Sequence, residues 1–82
     1  MSESADAAFL YDLGAELRRA RAKFPQQSFW RTLAALTEEV GELNQAILQH
    51  RDYATIRGEA IQVAVMALRV ANDCGLDLAV LD

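Results

Sequence analysis

The sequence predicts an all-α fold: an antiparallel bundle of three main helices with a short C-terminal segment, completed by homo-oligomerisation. Three observations predict it. Apolar residues recur at alternating three- and four-residue steps, the period of a helix buried along one stripe. The only proline, Pro25, and the polar run His50-Arg51-Asp52 divide the chain into three stretches of helical length. No stretch of useful length alternates apolar with polar residues as a half-buried strand would.

The first helix is expected over about Ser4 to Lys23, with Leu10, Leu13, Leu17, Ala20 and Phe24 as its apolar stripe. Phe24-Pro25 ends it, because a residue before proline is pushed out of the α region. Ser28 is placed to cap a second helix over about Phe29 to Gln49, its hydroxyl accepting from an early backbone N–H. On that helix Phe29, Leu33, Leu36, Val40, Leu43 and Ile47 form the stripe read as the packing seam. Asp52 then caps a third helix over about Tyr53 to Asp73, which Gly75 is placed to stop. From Ala60 to Ala71 its only polar residues are Gln62 and Arg69. A helix apolar on nearly every side is buried on nearly every side. Two other helices in a chain of 82 residues would hardly cover it, so a homodimer or homotetramer is expected. Chains of this size bury only about 60% of their unfolded surface, which points the same way. Residues 76–82 add a turn or a short helix, and residues 1–82 make a single domain.

Composition narrows the function classes. A hydrophobic content of 52% argues against disorder, and a net charge of −4 against a general role on nucleic acid. Cys74 stands alone, which leaves neither an intramolecular disulfide nor a cysteine-based zinc site. No apolar run reaches the roughly 20 residues of a membrane helix. The start, MSESADAAF, lacks the basic and apolar regions of a signal peptide. A soluble cytoplasmic domain is expected.

The stretch TEEVGELNQA carries the chemistry. Glu39 and Glu42 are i and i+3 and repel each other on one side of the helix, and Gly41 between them costs about 1 kcal/mol relative to alanine. Taking about 100° per residue, Glu39 lies on the flank of the seam, Glu42 further round, and Glu38 nearly opposite on the surface. The third helix has its own spaced pair, Glu59 and Gln62. Glu42 and Glu59 stand equally far from the turn, and so do Glu39 and Gln62, so a tight antiparallel hairpin brings all four to one level. Like charges gathered in a partly buried place are costly unless a cation compensates them. Hard oxygen ligands suit Mg²⁺ or Mn²⁺. Gly41 would then let something approach the backbone closely.

These residues resemble a known family. Glu39-x-x-Glu42 in EEVGEL, followed at the right spacing by Glu59-x-x-Gln62 in EAIQVA and by the ending Cys74-Gly75-Leu76-Asp77-Leu78, is similar to the MazG-like all-α nucleoside triphosphate pyrophosphohydrolases. The resemblance covers roughly residues 24 to 80. It implies Mg²⁺-dependent hydrolysis of a (deoxy)nucleoside triphosphate to the monophosphate and pyrophosphate, in service of nucleotide-pool cleaning. It implies Glu39, Glu42 and Glu59 as catalytic metal ligands, with Gln62 at the fourth position, and a dimeric or tetrameric bundle. The family pattern has aspartate where this chain has Gln62, which removes one charge. The alternative is therefore a non-catalytic oligomerisation or nucleotide-binding module.

The remaining candidates are divided. Arg18, Arg19, Arg21 and Lys23 read as a solvated face, the alternative being that some of them, or Arg69, reach the triphosphate. Arg69 lies two turns beyond Gln62 on the same side and needs a partner if buried; Glu16, Asp73 or a neighbouring subunit would serve. Trp30, off the seam, would stack on a nucleobase or fill an oligomer contact. His50 belongs to the turn and reads as exposed, and Cys74 as a small buried apolar residue.

Overall fold

In the computed structural model, which describes residues 3–25 and 27–74, the chain forms three α-helices and, among those residues, no strand: α1 (Glu3–Lys23), α2 (Phe29–Leu48) and α3 (Tyr53–Asn72). The observed bounds lie within a residue of the expected ones. The expectations for Gly75 and for residues 76–82 fall outside the described residues.

The ends follow local chemistry. Ser28 is extended, and its Oγ accepts from the Arg31 N–H at 3.2 Å, capping α2 as expected. Between α2 and α3 the chain reverses through Gln49 and His50, and His50, exposed, takes a left-handed φ of 54°. Asp52 is the N-cap residue of α3 but does not cap with its side chain. Its carboxylate instead accepts from the Thr55 hydroxyl, which holds the Asp52 carboxyl below its ordinary range.

This tight reversal makes α2 and α3 an antiparallel pair, the most closely packed pair of helices, and α1 lies against α3. So α3 is the central helix. Ile61, Val65 and Arg69 are buried at four-residue intervals, and no residue from Glu59 to Met66 is exposed. From Ala67 on, Ala67 and Ala71 are exposed, so the other two helices cover α3 only in part, as its composition suggested. The large exposed apolar side chains are mostly elsewhere.

Several lie on α2. The residues of α2 buried against the rest of the chain are Thr32 and Ala46, with Glu39 midway between them, half-buried. Residues seven apart share one line along a helix, so Thr32, Glu39 and Ala46 mark the face turned to α3. The expected seam is split: Phe29, Leu36 and Leu43 are half-buried, while Leu33 is 49% exposed, Val40 38% and Ile47 50%. Glu39 accordingly sits in the middle of the inter-helix face, not on its flank. On this face Ala46 is small and buried, while Leu33, Val40 and Ile47 lie away from it.

Arg69 locks α1 to α3. It is fully buried. Its Nε donates to Asp73 Oδ2 at 2.5 Å, and its Nη1 and Nη2 donate to the carbonyls of Ala20 and Phe24 at the end of α1. The Ala20 carbonyl also accepts from the Phe24 N–H at 2.8 Å, while the Phe24 carbonyl lies past the last turn of α1. Asp73 is also gripped by Arg21, at 2.8 and 3.2 Å. The Arg21 guanidinium, with Arg69 beside it, holds the Asp73 carboxyl below the ordinary carboxylate range. Of the three partners expected for Arg69, Asp73 is the one it takes, while Glu16 pairs with Arg19. Cys74, buried, donates through Sγ to Thr32 Oγ1 at 3.2 Å.

Candidate metal centre and the adjoining groove

The antiparallel hairpin fixes the level at which α2 and α3 present their polar residues. Each of Glu39, Glu42 and Glu59 offers a carboxylate oxygen, and these atoms lie within 4.8 Å of one another. Gln62 lines a groove together with Glu39. Glu38 is exposed and joins the cluster only through the reach of its charge.

The cluster is under electrostatic stress. Burial first, then the charges of Glu42 and Glu59, push the Glu39 carboxyl up to about 7, helped by a hydrogen bond shared with Glu42. One oxygen of Glu39 and one of Glu59, Oε2 in each, are buried without a hydrogen-bond partner. Buried polar atoms are nearly always satisfied, and an orphaned one costs about 1–3 kcal/mol. None of the ion pairs among the described residues reaches the three carboxylates. Two unpartnered acceptors within a cluster of three carboxylates fit a cation. Neighbouring oxygens on a Mg²⁺ stand about 3 Å apart, so the carboxylates would draw together around the ion. The donor set, all oxygen and predominantly anionic, suits Mg²⁺ or Mn²⁺ and not a soft metal.

Beside the cluster runs a groove of about 480 Å³ between the C-terminal half of α1, the N-terminal half of α2 and the middle of α3. Its walls carry Arg19 and Lys23 from α1, Arg31 from α2 and, at the acidic end, Glu16, Glu39 and Gln62. Thus two members of the basic cluster of α1 turn into the groove. Arg21 is engaged with Asp73, and Arg18 is exposed and is not among the groove residues. Arg69 reaches the groove wall, but its donors already serve Asp73, Ala20 and Phe24. Trp30 is 62% exposed and lies outside the groove lining. Arg31 is the groove residue that the sequence reading missed. A signal for it exists: Arg31, Ala35 and Glu39 form one i, i+4, i+8 row on α2, with a small residue in the middle that leaves space between the two charged ends.

Gly41 has no close neighbour. A Cβ placed there would meet nothing within 4 Å, so no part of the described chain requires a glycine at this position. Comparison with known proteins found no matching family model, no matching curated protein and no matching solved structure.

Proposed function

We propose that the chain is a divalent-metal-dependent nucleoside triphosphate pyrophosphohydrolase of the MazG-like class. It would release a (deoxy)nucleoside monophosphate and pyrophosphate, working as a homodimer or homotetramer in the cytoplasm. The observation that carries this reading is the convergence of Glu39, Glu42 and Glu59 with two buried, unpartnered oxygens. The motif pairs EEVGEL and EAIQVA support it through their family resemblance, and the basic groove alongside supports an anionic substrate.

Glu39, Glu42 and Glu59 would hold Mg²⁺, with the Gln62 carbonyl oxygen as a neutral neighbour. When bound, the ion supplies positive charge against the phosphates and lowers the pKa of a coordinated water. The rest falls to the chain's own groups. Glu39, half-buried in the helix interface, is protonated in part near neutral pH, and giving up that proton prepares its oxygens as ligands. Glu42 is the exposed member, so its carboxylate is the one that solvent reaches. Glu59, half-buried with one oxygen sealed from water, anchors the site on the central helix.

One observation favours a second reading. Gln62 places a neutral amide where the family pattern has a carboxylate, which weakens the site for more than one ion and fits a module that binds nucleotide without turnover. Incubation of the protein with a panel of nucleotides and Mg²⁺ or Mn²⁺, with pyrophosphate resolved from orthophosphate, decides between them. Pyrophosphate release that falls at least about 100-fold in Glu39→Gln is the expected result, the loss anticipated when a charge-stabilising catalytic group is removed. Absence of turnover on every nucleotide by a correctly folded oligomer would leave the binding module.

A further inference from the structure

We infer that the groove beside the carboxylates is a binding site for a diphosphate group, with Arg31, Lys23 and Arg19 as its cationic contacts and Gln62 as a neutral hydrogen-bond donor at its acidic end. Only the source of that group, the end of a nucleoside triphosphate or free pyrophosphate, rests on the function proposed above.

The charge distribution is the first argument. In a chain with eight basic residues and a net charge of −4, Arg19, Lys23 and Arg31 line one groove, whose only acids among the described residues are Glu16, paired with Arg19, and Glu39. Their binding capacity is not used up internally. Arg31 makes no ion pair among the described residues. Lys23 lies 5.4 Å from the centre of the Phe24 ring, a contact with a π face that leaves the ammonium hydrogens available. Arg19 spends Nη1 on Glu16 at 2.5 Å, and a guanidinium has five donors. Arg69, with three of its five donors used inside the chain, is the fully buried one.

The floor is the second argument. Ala20, Ala35 and Met66 line the same groove, so an anion lying there is partly shielded from water, and charge-assisted hydrogen bonds gain strength in such surroundings. Three cations converging on one volume fit a group with several negative charges better than a single carboxylate.

Polarity is the third. Arg31 and Glu39 are eight residues apart on α2, about 12 Å at the helical rise, so the groove has a basic end and an acidic end. An unshielded phosphate is repelled by Glu39. Gln62 adjoins Glu39 and offers amide N–H donors that a carboxylate lacks. A neutral residue here lets a phosphate come up to the carboxylate cluster, whereas aspartate or glutamate would push it back. The substitution that weakens metal binding thus makes sense as an anion contact.

The test is calorimetric titration of inorganic pyrophosphate at low salt with a chelator present, so that no divalent ion mediates the binding. Wild type is expected to bind. Arg31→Gln and Lys23→Gln are each expected to weaken binding about tenfold, the value of one charge-assisted hydrogen bond. Gln62→Glu should weaken it comparably and Glu39→Gln should not weaken it. All four positions are exposed or half-buried, and a melting curve on each variant verifies folding. No binding by wild type, or binding indifferent to both Arg31→Gln and Lys23→Gln, overturns the site. Displacement of pyrophosphate by a nucleoside triphosphate but not by the monophosphate identifies the source as the triphosphate end; failure of both to displace it identifies free pyrophosphate. Arg31-dependent pyrophosphate binding without nucleotide hydrolysis would sink the proposed function and leave the groove standing. Hydrolysis with an unchanged KM in both cation variants would do the reverse.

Discussion

Glu42 on α2 and Glu59 on α3 meet across the helical hairpin with carboxylate oxygens no more than 4.8 Å apart, and Glu39, one turn before Glu42, completes the group. Two helices that pack closely have placed three acids where apolar side chains would have stabilised the fold. The chain carries that cost in its metal-free state, and its stability should report it.

The first prediction concerns pH. Glu39 is pushed from an ordinary 4.5 to about 7, by burial first and by Glu42 and Glu59 next. Its folded-state pKa lies above its unfolded value, so the folded state holds the proton more tightly, and stability falls as pH rises through that interval. A shift of this size is nominally about 3 kcal/mol, and the partial exposure of Glu39 reduces it to on the order of 2 kcal/mol. In chelator, denaturant midpoints should drop between about pH 4.5 and pH 7 and level off above. Glu39→Gln should remove that drop. The depressed carboxyls of Asp73 and Asp52 act in a separate window, below their ordinary 3.8, where stability is lost as pH falls. Added Mg²⁺ should recover the lost stability at neutral pH, by about 1.4 kcal/mol at ten times its dissociation constant, and not in Glu59→Gln.

A second prediction separates the two arginines on Asp73. Asp73→Ala strands Arg69, which is fully buried, and removal of one partner from a buried pair costs about 3–5 kcal/mol. Arg21→Ala leaves the Arg69–Asp73 pair intact and removes only an exposed contact, so its effect should be slight. Urea denaturation of the two variants measures the difference. Equal losses would mean that Arg69 does not carry the junction.

The outward stripe Leu33, Val40 and Ile47 predicts assembly. Its members are seven residues apart on α2, a spacing suited to a helix–helix contact, and Trp30 lies beside it. Wild type should sediment as a dimer or tetramer, with a melting temperature that rises with concentration. Val40→Glu should sediment as a monomer and melt lower. A wild-type monomer at high concentration would show that the stripe is not a subunit contact.

Gly41→Ala is the fourth test. The helix gains about 1 kcal/mol from the replacement, and within the chain the new methyl meets nothing. Higher stability with unchanged assembly and turnover is expected. A loss of assembly or turnover would instead reveal a partner or substrate packed against that backbone.

Much of this was legible in the residues themselves. Helix ends depend on neighbours in sequence: Pro25 stops α1, Ser28 caps α2, and the short reversal around His50 makes α2 and α3 antiparallel. Once that reversal is short, the levels of Glu42 and Glu59 follow from counting, which is why the carboxylate cluster was readable in advance. The rotation of each helix was not. Periodicity identifies an apolar stripe but not what it faces: in α2 Phe29, Leu36 and Leu43 are half-buried, while Leu33, Val40 and Ile47 are left exposed. That choice put Glu39 at the centre of the helix interface and raised its pKa. Tertiary packing also decided the fate of the cations. It buried Arg69 against the carbonyls where α1 ends, and it gathered Arg19, Lys23 and Arg31 from two helices into one groove, a meeting that no local pattern in the chain encodes.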